Sequence, residues 1–131
     1  FRLLIFNYLF SNGDAHFKNF SVLETEFGDF RLAPAYDLLN SRLHINDTDF
    51  ALDKGLLPEK DRKERMSIRE QFMLIGEKAG ISTRLTTSIY DAMLTGTDIV
   101  TSMTNASYLS DDFKRRYLES YHTRLNTLSA P

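Results

Sequence analysis

The sequence predicts a mainly α domain, a helical bundle carrying one small β-hairpin. Three observations support that expectation. Apolar residues recur at helical spacing through the C-terminal half, one alternating stretch surrounds Gly28-Asp29, and the first ten residues are apolar apart from Arg2 and Asn7. A chain of 131 residues is of single-domain length, large enough for one buried core. One domain over 1–131 is therefore expected.

The run 1–11 reads as a helix, and because it is apolar all round it wants neighbours on every side. Asn12-Gly13 then supplies a left-handed C-terminal turn. In "FSVLETEFGDFRLAPAYDLL", Phe20 and Val22 alternate on one side of Gly28-Asp29 and Phe30 and Leu32 on the other, the pattern of a hairpin that Pro34 terminates. Short helical or irregular pieces fill Asp37 to Asp61, with a flexible surface segment expected near 54–65.

Beyond that segment, Ile68, Phe72, Ile75 and Ala79 mark one amphipathic helix, stopped by Gly80-Ile81. A second helix is expected from Ser82, with Leu85, Ile89, Ala92, Gly96, Ile99 and Met103 on its inner face. A third follows Ser110 and turns Phe113, Tyr117, Tyr121, Leu125 and Leu128 inward. Three helices should then pack beside the N-terminal one.

Composition narrows the function classes. With 16 basic and 18 acidic residues and a net charge of −2, no broad electropositive footprint argues for direct contact with nucleic acid. The first ten residues are too few to span a bilayer and lack a signal-peptide pattern, so no membrane role is expected. The absence of cysteine fits a reducing compartment, and a cytoplasmic location is expected. A chain that opens at Phe1, on an apolar helix, is expected to be part of a longer protein.

The chemistry concentrates in "NGDAHFKN", residues 12–19. Asp14 is followed five positions later by Asn19, and a second isolated acid, Asp37, follows the hairpin in "APAYDLL". Hairpin pairing returns the chain on itself, so Asp14, Asn19 and Asp37 can converge. Phosphoryl transfer needs such a set: a carboxylate to accept the hydroxyl proton, and hard oxygen ligands for Mg²⁺ on the nucleotide phosphates. Asp14 suits the first role, Asn19 and Asp37 the second, and Lys18 can neutralise charge on the transferring group.

The order Asp, Asn, hairpin, Asp resembles the catalytic loop of protein kinases. More closely, "GDAHFKNFSVL" followed by "RLAPAYDLL" resembles the C-terminal domain of the HipA-like serine/threonine kinases, toxins of bacterial toxin–antitoxin modules. The resemblance implies a kinase C-terminal-lobe-like fold and ATP-dependent phosphorylation of a protein Ser or Thr. It implies Asp14 as proton acceptor, Asn19 and Asp37 as Mg²⁺ ligands, His16 and Lys18 on the loop that contacts ATP, and Tyr36 beside the nucleotide. It also implies an aminoacyl-tRNA synthetase as the type of protein substrate and an antitoxin DNA-binding protein as partner.

Other readings compete. A degenerate lobe that binds a partner without catalysis has no need of Asp14, Asn19 and Asp37 together. A metal-dependent phosphohydrolase using Asp14, His16 and Asp37 leaves Asn19 without a role. His44, Asp47 and Asp49 in "HINDTD" lack the glycine and terminal Glu of a calcium-binding hand and read as a solvated turn. His122 reads as a surface or boundary residue, and "NAS" at 105–107 is a chance glycosylation pattern.

The six glycines are scattered, and no Gly-rich nucleotide-covering segment occurs in this sequence. The isolated chain is therefore expected to bind Mg-ATP weakly in a calorimetric titration; micromolar affinity would contradict that expectation.

Overall fold

The computed structural model describes residues 1–45, 56–61 and 66–130. Helix α1 (Arg2–Leu9) is followed by strands β1 (Val22–Glu24) and β2 (Phe30–Leu32), then by α2 (Ile68–Lys78), α3 (Thr83–Met93), α4 (Thr97–Ala106) and α5 (Asp111–Ser129). Short 3-10 turns lie at Phe17–Asn19, Ser41–Leu43 and Glu59–Asp61. The expected architecture, mainly α with one hairpin, is the one observed. Asp47, Asp49 and half of the segment 54–65 lie outside the described residues.

The core forms where α1 meets α3 and α5. Ile5, Tyr8 and Leu9 are buried together with Leu56, Phe72, Tyr90, Tyr121 and Leu128. Phe72 sits at the centre, edge-on to Tyr8 at 6.1 Å and to Phe1 at 6.3 Å, with Tyr90 at 5.9 Å. Such ring pairs add about 0.5–1.5 kcal/mol each beyond burial of their area. The core also holds a cation: Arg124 of α5 lies over the Tyr8 ring at 4.7 Å and donates to its hydroxyl at 3.3 Å. The aromatic stripe of α5 was legible in the sequence; this buried arginine was not.

Helix boundaries follow local chemistry. Ser67 and Glu70 form a reciprocal capping box at the start of α2. At its end, Gly80 at φ +71° and the Ile81 N–H donating to the Gly76 carbonyl complete the predicted stop. Ser110 caps α5 by accepting from the Phe113 N–H, with Asp111 and Asp112 in the first turn.

The helix expected from Ser82 through Met103 is instead two. Gly96, at φ +99°, breaks it between α3 and α4, so the bundle sets four helices beside α1. The buried face also differs from the expected one: on α3 Leu85 is 52 % exposed while Thr86 and Tyr90 are buried, and beyond the break Ile99 and Met103 are 65 % and 69 % exposed while Thr104 is buried. Thr86 enters the core because Gly76 of α2 offers no side chain against it. The hairpin pairs antiparallel with Val22 opposite Leu32, Leu23 opposite Arg31 and Glu24 opposite Phe30. Phe20 lies before the first strand, and every strand residue is exposed.

No helix among the described residues is long and apolar enough to cross a membrane.

A methyl group at position 76 would lie 2.5 Å from Thr86 Oγ1 and 2.6 Å from its Cγ2. Gly76→Ala should therefore destabilise the domain by about 1–3 kcal/mol in urea unfolding. Thr86→Ala in the same chain should restore part of that loss. Burial pushes the Tyr90 phenol up to about 12, against the opposing pull of the Arg69 guanidinium, while its hydroxyl donates to the Leu128 carbonyl at 2.9 Å. Folding thus favours the neutral phenol, a contribution complete below the ordinary pKa of 10 and lost as pH rises from 10 towards 12. Denaturation curves across that window should show the loss, and Tyr90→Phe should flatten it.

Candidate functional site

The site begins where α1 stops. A helix that ends inside a core leaves carbonyls beyond the reach of water, and the chain here closes them with a Schellman turn. The Ser11 N–H donates to the Tyr8 carbonyl at 3.1 Å and the Asn12 N–H to the Asn7 carbonyl at 2.8 Å. The left-handed residue is Ser11, at φ +54°, not the Asn12-Gly13 pair that the sequence suggested.

Side-chain chemistry explains the displacement. Buried Ser11 pairs its hydroxyl with that of Ser120 on α5 at 2.8 Å, and its carbonyl accepts from Ser41 Oγ at 3.2 Å. A non-glycine residue in this conformation costs roughly 1–2 kcal/mol, which hydrogen bonds of about 1 kcal/mol each can offset. Ser41 Oγ also accepts from the Gly13 N–H at 2.9 Å, so one serine hydroxyl holds the loop from behind at two points.

Residues 12–19 then run outward. Asp14 is exposed, its carboxylate 3.9 Å from Nε2 of His16, which is also exposed. A 3-10 turn over Phe17–Asn19, closed by the Asn19 N–H on the His16 carbonyl, directs Lys18 to solvent and buries Asn19. The hairpin carries the chain out and back, and the Ala33 N–H donates to the Ser21 carbonyl at its base.

Across that base the two candidate segments are joined at three places. The Asn19 amide nitrogen donates to Asp37 Oδ2. The Tyr36 hydroxyl donates to the Lys18 carbonyl at 2.9 Å and pairs with Ser21 Oγ at 2.7 Å. The Asn12 amide nitrogen donates to the Asp37 carbonyl at 3.1 Å and to Asn7 Oδ1 at 3.3 Å. Asn19 and Asp37 are thus in direct contact, two of the three side chains that the sequence allows to converge. Asp14 makes its contact with His16 instead, and the Tyr36 hydroxyl is a tie between segments.

Sequence reading missed Asn7, Asn12 and Ser41. One signal was available: Asn7 is one of only two polar residues in the first ten, and a buried amide in an apolar helix must find hydrogen-bond partners.

The donor set fits a hard divalent cation. Asp37 offers a carboxylate and Asn19 an amide oxygen once its side chain turns about its last torsion, and Mg²⁺ takes such oxygens with waters and substrate phosphates completing its shell. No three His, Cys, Asp or Glu side chains converge among the described residues, so a cation held here depends on oxygens that a phosphate ligand brings. That arrangement disfavours a hydrolase metal centre built from Asp14, His16 and Asp37.

Residues 1–101 match the family described as the HipA-like C-terminal domain. Over 84 residues, 64% of this chain, the sequence is 32% identical to a Sinorhizobium fredii protein named "Putative kinase Y4dM". The matched stretch covers 20% of that relative's length. Matched from its first residue to residue 101, the chain belongs to the HipA-like C-terminal domain family.

Proposed function

We propose that the chain is the catalytic lobe of an ATP- and Mg²⁺-dependent protein serine/threonine kinase of the HipA-like toxin family, inactive by itself. The observation that carries this reading is the contact between Asn19 and Asp37 across the hairpin, with Asp14 on the same loop. Membership of the HipA-like family and likeness to a protein named as a kinase support it.

Each side chain then has a role. Asp14 accepts the proton of the substrate hydroxyl as that oxygen bonds to the γ-phosphorus and the bond to ADP breaks. Its exposure leaves it reachable by a protein substrate. Asn19 and Asp37 hold Mg²⁺, which when bound draws charge from the phosphate oxygens. Lys18 and His16, both exposed beside Asp14, face the nucleotide phosphates, and Tyr36 fixes the loop that presents them. The matched length, a fifth of the relative, leaves room in such a protein for a second lobe that covers the nucleotide. An aminoacyl-tRNA synthetase as protein substrate and an antitoxin DNA-binding protein as partner complete the proposal.

The test is ATP consumption by the full-length protein that contains this domain. Asp14→Asn and Asp37→Ala should each lower turnover by about 10²-fold or more, in the range expected for loss of a general base or a metal ligand. Full activity in either variant would overturn the kinase assignment.

A further inference from the structure

Asp37 is an exposed residue in a conformation that few side chains adopt. Its φ is +55°, and it follows Tyr36 in an extended loop with no helix or strand to impose that geometry. The left-handed turn aims its carboxylate at Asn19. Something outside the residue has to hold the backbone there.

We propose that Asn12 is a positioning residue for Asp37: its amide fixes the Asp37 backbone in the left-handed conformation and so sets the Asn19–Asp37 geometry on which cation binding depends. The proposal rests on the kinase reading above and adds a residue to it. Both N–H groups of the Asn12 amide are engaged, one on the Asp37 carbonyl at 3.1 Å and one on Asn7 Oδ1 at 3.3 Å. Turning the amide over would set its oxygen against two acceptors, so the orientation is fixed. Asn7 belongs to α1, and the Asn12 backbone is itself bonded to the Asn7 carbonyl. The frame of the most buried helix is thereby transmitted to an exposed carboxylate.

A second observation favours a role beyond packing. Asn12 is 3 % exposed, and its Oδ1 is buried without a hydrogen-bond partner among the described residues. An unmet acceptor in a core is a cost. An asparagine that carries it is placed there for its two donors, and only one of them is spent on the helix.

The experiment uses the full-length protein and Mn²⁺ as the probe, with free Mn²⁺ counted by electron paramagnetic resonance in the presence of a non-hydrolysable ATP analogue, alongside thermal unfolding. Asn12→Ala should weaken Mn²⁺ binding about tenfold, equivalent to about 1.4 kcal/mol. Asn12→Asp, which keeps the volume but replaces donors by acceptors, should weaken it at least as much. Ser41→Ala loosens the loop at Gly13 and Ser11 without touching Asp37, so it should lower the unfolding temperature and leave Mn²⁺ affinity within twofold. Parental affinity in either Asn12 variant, or an equal loss in Ser41→Ala, would overturn the proposal. Asp37→Ala separates the two levels. If it abolishes binding while Asn12→Ala keeps parental affinity, only the positioning role falls; if it leaves binding intact, the kinase reading falls with it.

Discussion

A helix that ends in a core must bond its last carbonyls to protein, and the candidate site is built from the way α1 meets that requirement. Ser11 turns left-handed, Asn12 closes on Asn7, and the hydroxyls of Ser120 and Ser41 reach in to complete the set. Each fixes where the loop after α1 leaves the core, and Asn12 alone among them also reaches Asp37, through its carbonyl. Satisfying buried polar groups and presenting a polar loop to solvent are here one structural solution.

The rest of the bundle supports that end of α1. Phe72 sets its ring against Phe1 and Tyr8, with Tyr90 packed on its other side, while Tyr121 stacks on Phe10 at 5.4 Å. Arg124 grips Tyr8 through both ring and hydroxyl.

Much of this was legible in the residues, and the failures have physical causes. Ile68, Phe72 and Ile75 announced α2, and Gly80 its end, because periodicity and a glycine stop act locally. The alternation around Gly28-Asp29 located the hairpin, although its strands are exposed and a burial pattern gave no help. The continuous stripe from Leu85 to Met103 misled, since a glycine inside a periodic run is invisible to a spacing count but at φ +99° it re-phases everything after it. Asp14, Asn19 and Asp37 were found from chemical type and order. The residues that hold them were not, because Asn12, Ser41 and Ser120 lie far apart in sequence and bond through geometry that only the fold creates.

The hairpin can be viewed differently from its exposure. Its strand residues are all exposed, and a lone two-stranded ribbon is marginal in water. Yet it separates Asn19 from Asp37 in sequence while joining them in space. A disordered connection of that length would make their encounter an entropic search, with the cost rising as the logarithm of loop length. Paired strands remove most of those conformers, so the local effective concentration of one side chain around the other is raised without any contact to either. The ribbon then acts as a caliper, and its ladder of backbone bonds sets the span between Asn19 and Asp37.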